Sequence, residues 1–198
     1  MRPLGFTGHG VSNPTLVAAG AVLAANSIPV STSGAQVGDV IMVVSPNGTI
    51  TGLTGTGWAQ SNYSWYGIFN YPASWAWKIL DTLADIAVTG DTASTQYAIY
   101  RNCTSVARVV GTDASGPPYS VTWPAPNAAC KGQVMMAHMA GAPDLVPPAG
   151  WTERYDTVID GTYQNLIADR LTGVAAGAVT ITGGSATYTF INGIELRG

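Results

Sequence analysis

Five short motifs occur twice in this chain, in the same order and at nearly constant spacing. Gly38-Asp39-Val40-Ile41-Met42 returns as Gly132-Gln133-Val134-Met135-Met136, and Gly57-Trp58 returns as Gly150-Trp151. Lys78-Ile79-Leu80 has a counterpart in Arg170-Leu171-Thr172, Ala87-Val88-Thr89 in Val179-Thr180-Ile181, and Ile99-Tyr100-Arg101 in Glu195-Leu196-Arg197. Chance supplies one or two such matches, not an ordered set of five. The pattern predicts two units of about 94 residues, 24–117 and 118–198, after an amino-terminal arm or first strand over 1–23.

Each unit reads as strands. Val37–Val44, Ser94–Arg101, Gln133–Met139, Ala178–Thr182 and Ala186–Ile191 are short apolar, β-branched or aromatic runs bounded by turn-forming residues. Ile79–Ile86 has apolar residues at helical spacing but is short and uncapped, so it is a single turn or a loop. Gly116-Pro117-Pro118 is a turn rather than a flexible linker, and one unit alone would have a thin core. The expectation is therefore an all-β chain in which residues 24–198 form a single β-sandwich, jelly-roll or immunoglobulin-like, built from the two repeats. In it Trp58 and Trp151 fill the space between sheets, each after a glycine that permits a tight turn. Val40 and Val134 belong to the core.

Charge narrows the function classes. Only 10% of the 198 residues are charged and the net charge is -3, so the chain lacks the basic face of a nucleic-acid binder. No run of about 20 apolar residues exists to span a membrane. Leu16–Ala25 (LVAAGAVLAA) has the look of a secretory core. Arg2 is the only basic residue before it and glycine and proline interrupt its lead, so it reads as a strand or packed arm with no cleavage expected. Cys103 and Cys130 are too few for a disulfide framework and read as buried thiols, although nothing in their spacing forbids a pair.

Catalytic constellations are hard to find. His9 lies in a glycine-rich stretch and His138 in an apolar one, and neither has a second ligand at metal-binding spacing. The only glutamates are Glu153 and Glu195; the acids near Glu153 lead into Asp160-Gly161, a hairpin turn signal. The expectation is a chain that is not an enzyme, with no catalytic, cofactor-binding or metal-binding residues and no cofactor. One patch stands apart: eight of the eighteen aromatics lie between Trp58 and Trp77. Within it Tyr63–Tyr71 (YSWYGIFNY) is loop-like and has no counterpart in the second unit. Trp65, Tyr66, Phe69 and Tyr71 are therefore candidate interface residues, with core filling as the alternative. Arg2, Leu4 and Phe6 of the arm are further candidates.

The motifs Gly38–Val43, Gly57-Trp58, Tyr100-Arg101, Pro148–Thr152 and Glu195–Gly198 resemble those of β-sandwich virion proteins encoded among the head and tail genes of tailed bacteriophages and related gene-transfer particles. The resemblance spans roughly residues 28–198 and leaves out the aromatic loop and the arm. It implies a structural protein of the virion and transfers no catalytic residue. With the low charge, it makes a capsid decoration (cement) protein the leading expectation. Such a protein would sit on the capsid surface, its partners being the major capsid protein and itself, with a homotrimer suited to a three-fold lattice position. The alternative is a tail fibre or receptor-binding module recognising host-surface glycans, which the aromatic loop would suit. A cell-surface or secreted binding module is the third reading.

Overall fold

A computed structural model describes residues 12–22, 26–46, 48–64, 72–90, 94–114, 118–141, 144–159, 162–183 and 188–198. Fifteen strands run through them. In the first half these are β1 (Thr15–Ala21), β2 (Ser27–Ile28), β3 (Val40–Ser45), β4 (Ile50–Leu53), β5 (Ala59–Ser64), β6 (Pro72–Ile79), β7 (Ile86–Gly90) and β8 (Gln96–Arg101). The second half holds β9 (Ser105–Ala114), β10 (Tyr119–Trp123), β11 (Cys130–Ala140), β12 (Thr152–Ile159), β13 (Tyr163–Arg170), β14 (Gly177–Ile181) and β15 (Tyr188–Arg197). The helical content of the described residues is one 3-10 turn, Val30–Thr32. The stretch Ile79–Ile86 is the end of β6, a loop and the start of β7.

All strand pairings are antiparallel, and the two halves pair alike. A five-stranded sheet in the first half has the order β1-β8-β3-β6-β5, beside a three-stranded sheet β2-β7-β4. The second half has β9-β15-β11-β13-β12, beside the pair β10-β14 and an isolated bridge from Val146 to Thr182. Replacing β1, β8, β3, β6 and β5 by β9, β15, β11, β13 and β12 turns one order into the other. The register agrees in detail. Thr15 faces Arg101 as Ser105 faces Arg197, and Ile41 faces Lys78 as Gln133 faces Arg170.

This register differs from the motif match in β3 and β11. It aligns Val40 with Gly132 and Met42 with Val134, two residues away from the motif match. A shift of two preserves the inward and outward alternation of a strand, so side-chain pattern alone does not reveal it. Pairing also assigns β1 to the first sheet and β9 to the second. The matching strand orders therefore run over Thr15–Arg101 and Ser105–Arg197.

Three cores separate four sheet layers. Ile41, Val43, Tyr97 and Ile99 pack with Ile28, Ile50, Ile86 and Val88 between the two sheets of the first half. Met135, Ala137, Leu166 and Ile191 pack with Tyr119, Val121, Trp123 and Ile181 in the second. The opposite faces of the two five-stranded sheets meet in a central core of Val40, Met42, Val44, Ala98, Tyr100, Val134, Met136, Ile167, Ile194 and Leu196. The β-sandwich expected from the sequence is thus the middle of a deeper stack, since each five-stranded sheet is covered on both faces. That double cover explains why β3 (VIMVVS) and β11 (CKGQVMMAHMA) are almost wholly buried rather than alternating.

Glycine closes the outer sheets in the same manner in each half. Gly90, the last residue of β7, has φ +119° and a Cβ there would lie 2.0 Å from the Thr49 carbonyl oxygen. Gly183, after β14, has φ +144° and a Cβ would lie 2.2 Å from that of Asp144. Neither position accepts a side chain.

Candidate functional site

The paired Gly-Trp motifs have a common geometry. Gly57 and Gly150 take left-handed φ values of 79° and 83° and turn the chain into β5 and β12. Ala59 lies opposite Trp77 and Thr152 opposite Asp169, which sets Trp58 beside Lys78 and Trp151 beside Arg170. The Lys78 ammonium stands 5.7 Å from the Trp58 ring centre, and the Arg170 guanidinium 5.2 Å from that of Trp151. A cation over an indole face is attracted by the ring's negative π surface. Trp151 is buried and packs at 5.6 Å on Trp123, whereas Trp58 is half-buried at the margin of the first outer core. Val40 and Val134 are both fully buried in the central core.

The cations are anchored differently. Lys78 Nζ donates to Thr56 O at 2.9 Å and to Asp81 Oδ1 at 2.6 Å. Arg170 donates to the Gln133 side-chain oxygen and to Ala175 O, and Gln133 itself holds both the N–H and the carbonyl of Ala175. The loop after β13 is thereby tied down over Arg170. Ile41, which stands where Gln133 does, has no such groups to offer.

Three buried carboxylates are each held by an arginine. Asp39 receives Arg101 through two hydrogen bonds of 2.9 and 3.0 Å, Asp169 receives Arg154 Nε at 2.9 Å, and Glu195 receives Arg197 at 2.8 and 3.1 Å. A carboxylate out of water is tolerated only with such partners. Asp169 also accepts the Tyr100 hydroxyl at 2.9 Å across the central core, where burial and Asp169 hold the phenol well above its ordinary pKa. Gln96 makes a second cross-sheet link, from its side-chain amide to Ala137 O at 2.8 Å. His138 is stacked between Tyr163 and Phe190 and bonds the Asn165 side-chain oxygen at 2.7 Å. Of these contacts the Tyr100–Asp169 and Gln96–Ala137 bonds join sheet to sheet, and the others tie neighbouring parts of one sheet. Several members (Asp39, Tyr100, Arg101, Glu195 and Arg197) lie in the repeated motifs, but the pairings across the chain, such as Tyr100 with Asp169, carry no local signal.

Both cysteines are free and buried. Burial, with Asp39 nearby, pushes the Cys103 thiol up to about 12, and burial with Glu195 raises that of Cys130. Glu153 and Asp156 are raised by partial burial and by neighbouring acids including Asp144. Among the described residues no group of three or more His, Cys, Asp or Glu could hold a metal ion, and no helix is long and apolar enough to cross a membrane.

The candidate interface residues Trp65, Tyr66, Phe69, Tyr71, Arg2, Leu4 and Phe6 lie outside the described residues, as does His9. The feature that offers a contact surface within them is the pair of sheet edges. Both edges of the first five-stranded sheet, β1 (TLVAAGA) and β5 (AQSNYS), lack any charged residue. The matching edges of the second carry Arg108 and Asp113 on β9 and Glu153, Arg154 and Asp156 on β12. Comparison of the chain with family models, with curated proteins and with solved structures finds no match in any of the three.

Proposed function

We propose that this chain is a non-enzymatic virion structural protein, a capsid decoration protein that binds the outer capsid lattice and holds neighbouring capsomers together. The observation that carries the reading is the contrast between sheet edges. An edge strand presents a row of unpaired N–H and C=O groups, and monomeric proteins blunt such edges with charge. The second sheet follows that rule and the first does not. Bare edges on β1 and β5 suit a protein whose neighbours extend or cover the sheet. A stack of four layers around three apolar cores gives that contact a stiff support.

The test is to add the purified chain to undecorated phage capsids and to count copies in purified virions by quantitative gel densitometry. Saturable binding to a fixed set of sites, with a copy number comparable to that of the major capsid protein, is the expected result. A handful of copies per particle, or no capsid binding, would move the protein to the tail or out of the virion.

A further inference from the structure

The loops after β4 and β6 enclose a cleft of about 300 Å³ at one end of the first half. Lys78 lines it, and the corresponding Arg170 is anchored differently. In the second half Arg170 and Gln133 draw the loop after β13 inward through Ala175. In the first half the position of Gln133 is Ile41, and the loop after β6 is held instead by Asp81 on the Lys78 ammonium, with the cleft beside it.

Its walls carry both kinds of hydrogen-bonding group. The Lys78 side chain is only 4% exposed, with two of its three N–H groups used by Thr56 O and Asp81. Its third remains for a ligand. The Thr54 hydroxyl oxygen accepts from Ala87 N at 2.9 Å, which leaves its hydrogen to donate. Asp85 accepts from Ser31 N at 2.9 Å through Oδ1 and also from the Ser31 side chain, and its carboxylate keeps lone pairs for a further donor. Leu80 and Ile86, both buried, supply an apolar floor. A buried lysine whose counterion is itself 55% exposed is a poor stabilising device, since an apolar side chain of similar size avoids the desolvation cost.

We propose that this cleft is a binding site for a neutral saccharide, one sugar unit deep. A sugar ring has an apolar C–H face for Leu80 and Ile86 and hydroxyls that both donate to Asp85 and accept from Lys78 and Thr54. A volume of about 300 Å³ is at the lower end for small-molecule pockets, which suits a single ring. Anions are disfavoured because Asp81 and Asp85 outnumber the one cation, and cationic ligands would face the Lys78 ammonium. The proposal is independent of the capsid reading: sugar binding and capsid binding are separate measurements on separate surfaces.

The experiment is ligand-observed NMR and calorimetric titration of the intact chain with D-glucose, D-galactose, D-mannose and N-acetyl-D-glucosamine. Inorganic phosphate and Nα-acetyl-arginine amide serve as charged comparators. At least one neutral sugar should bind with a millimolar or tighter Kd, as contacts of this number allow. Ala84→Arg, at an exposed position on the rim, should weaken that binding by at least about tenfold, or about 1.4 kcal/mol, with unchanged circular dichroism. Asp85→Asn should weaken it in the same direction and serves if Ala84→Arg misfolds. Absence of binding by all four sugars, equal binding by both variants, or preference for phosphate or the arginine derivative would each overturn the proposal.

Discussion

Tyr100 on β8 donates its hydroxyl hydrogen to Asp169 Oδ2 on β13 at 2.9 Å, joining the two five-stranded sheets through a core that is otherwise mostly apolar. Tyr100→Phe removes the donor and leaves the buried carboxylate to Arg154 alone. Stability should fall by about 1.5–3 kcal/mol, the range for a hydrogen bond to a charged group, as read from urea unfolding midpoints. The pH dependence has a definite sign. The phenol's pKa is raised in the folded protein, so above about pH 10 the unfolded chain ionises first and gains. Wild-type stability should therefore decline above that pH, and Tyr100→Phe should flatten the decline. A variant as stable as the wild type would show that the bond contributes nothing net.

The two Gly-Trp motifs share a geometry but not a burial, so their truncations should differ. Trp151→Ala vacates a buried site against Trp123 and should cost about 3–5 kcal/mol. Trp58→Ala at the half-buried margin should cost about 1–2 kcal/mol. Denaturant melts of both variants, under identical buffer, check the ranking; a larger loss at Trp58 contradicts it.

Glu153 lies near Asp144 and Asp156, and partial burial and that repulsion hold its proton more tightly in the folded chain than in the unfolded one. The sign follows: ionisation of this group disfavours the fold, an effect absent while the group is protonated in both states and complete once the pH has risen through the folded value. Glu153→Gln should therefore stabilise slightly at neutral pH, by about 0.3 kcal/mol given its exposure. The gain should vanish near about pH 3. Paired thermal melts at the two pH values test it, and a gain that persists in acid would rule out repulsion as the cause.

How far these features were visible in the sequence depends on where each residue's constraint comes from. Gly57-Trp58 and Gly150-Trp151 were legible because a left-handed turn demands glycine and an inter-sheet space demands a large ring, both local requirements. The strands β3, β8 and β11 were legible as apolar runs. By contrast β9 (SVARVVGTDA) escaped notice: it is an edge strand with a register shift opposite Gly193/Ile194, so its pattern mixes Arg108, Gly111 and Asp113 with valines. The Tyr100–Asp169–Arg154 cluster had no local signal at all, because it exists only once two sheets meet.

The edge contrast makes a prediction about association. Ser61→Lys in β5 and Thr15→Lys in β1 place a charge on each bare edge at exposed positions, and should reduce capsid occupancy or self-association while leaving the melting temperature nearly unchanged. Thr157→Lys on β12, an edge already bearing charges, should have little effect. Light scattering and capsid-binding stoichiometry read both outcomes. Equal behaviour of all three variants would show that the bare edges are not contact surfaces.

In both halves the closing strand is the last one made. β8 inserts between β1 and β3, and β15 between β9 and β11, so each five-stranded sheet waits for a strand made after its neighbours. Until Tyr188–Arg197 arrives, β9 and β11 have no common neighbour, and the inner face of the first sheet has no finished surface to rest on. The order of synthesis therefore imposes an order of assembly. The first half can knit itself by Arg101, and the second must hold open a slot for β15. A nascent chain stalled short of β15 would expose apolar strand edges and one side of a five-stranded sheet together, so the packing of both halves is completed only when β15 is made.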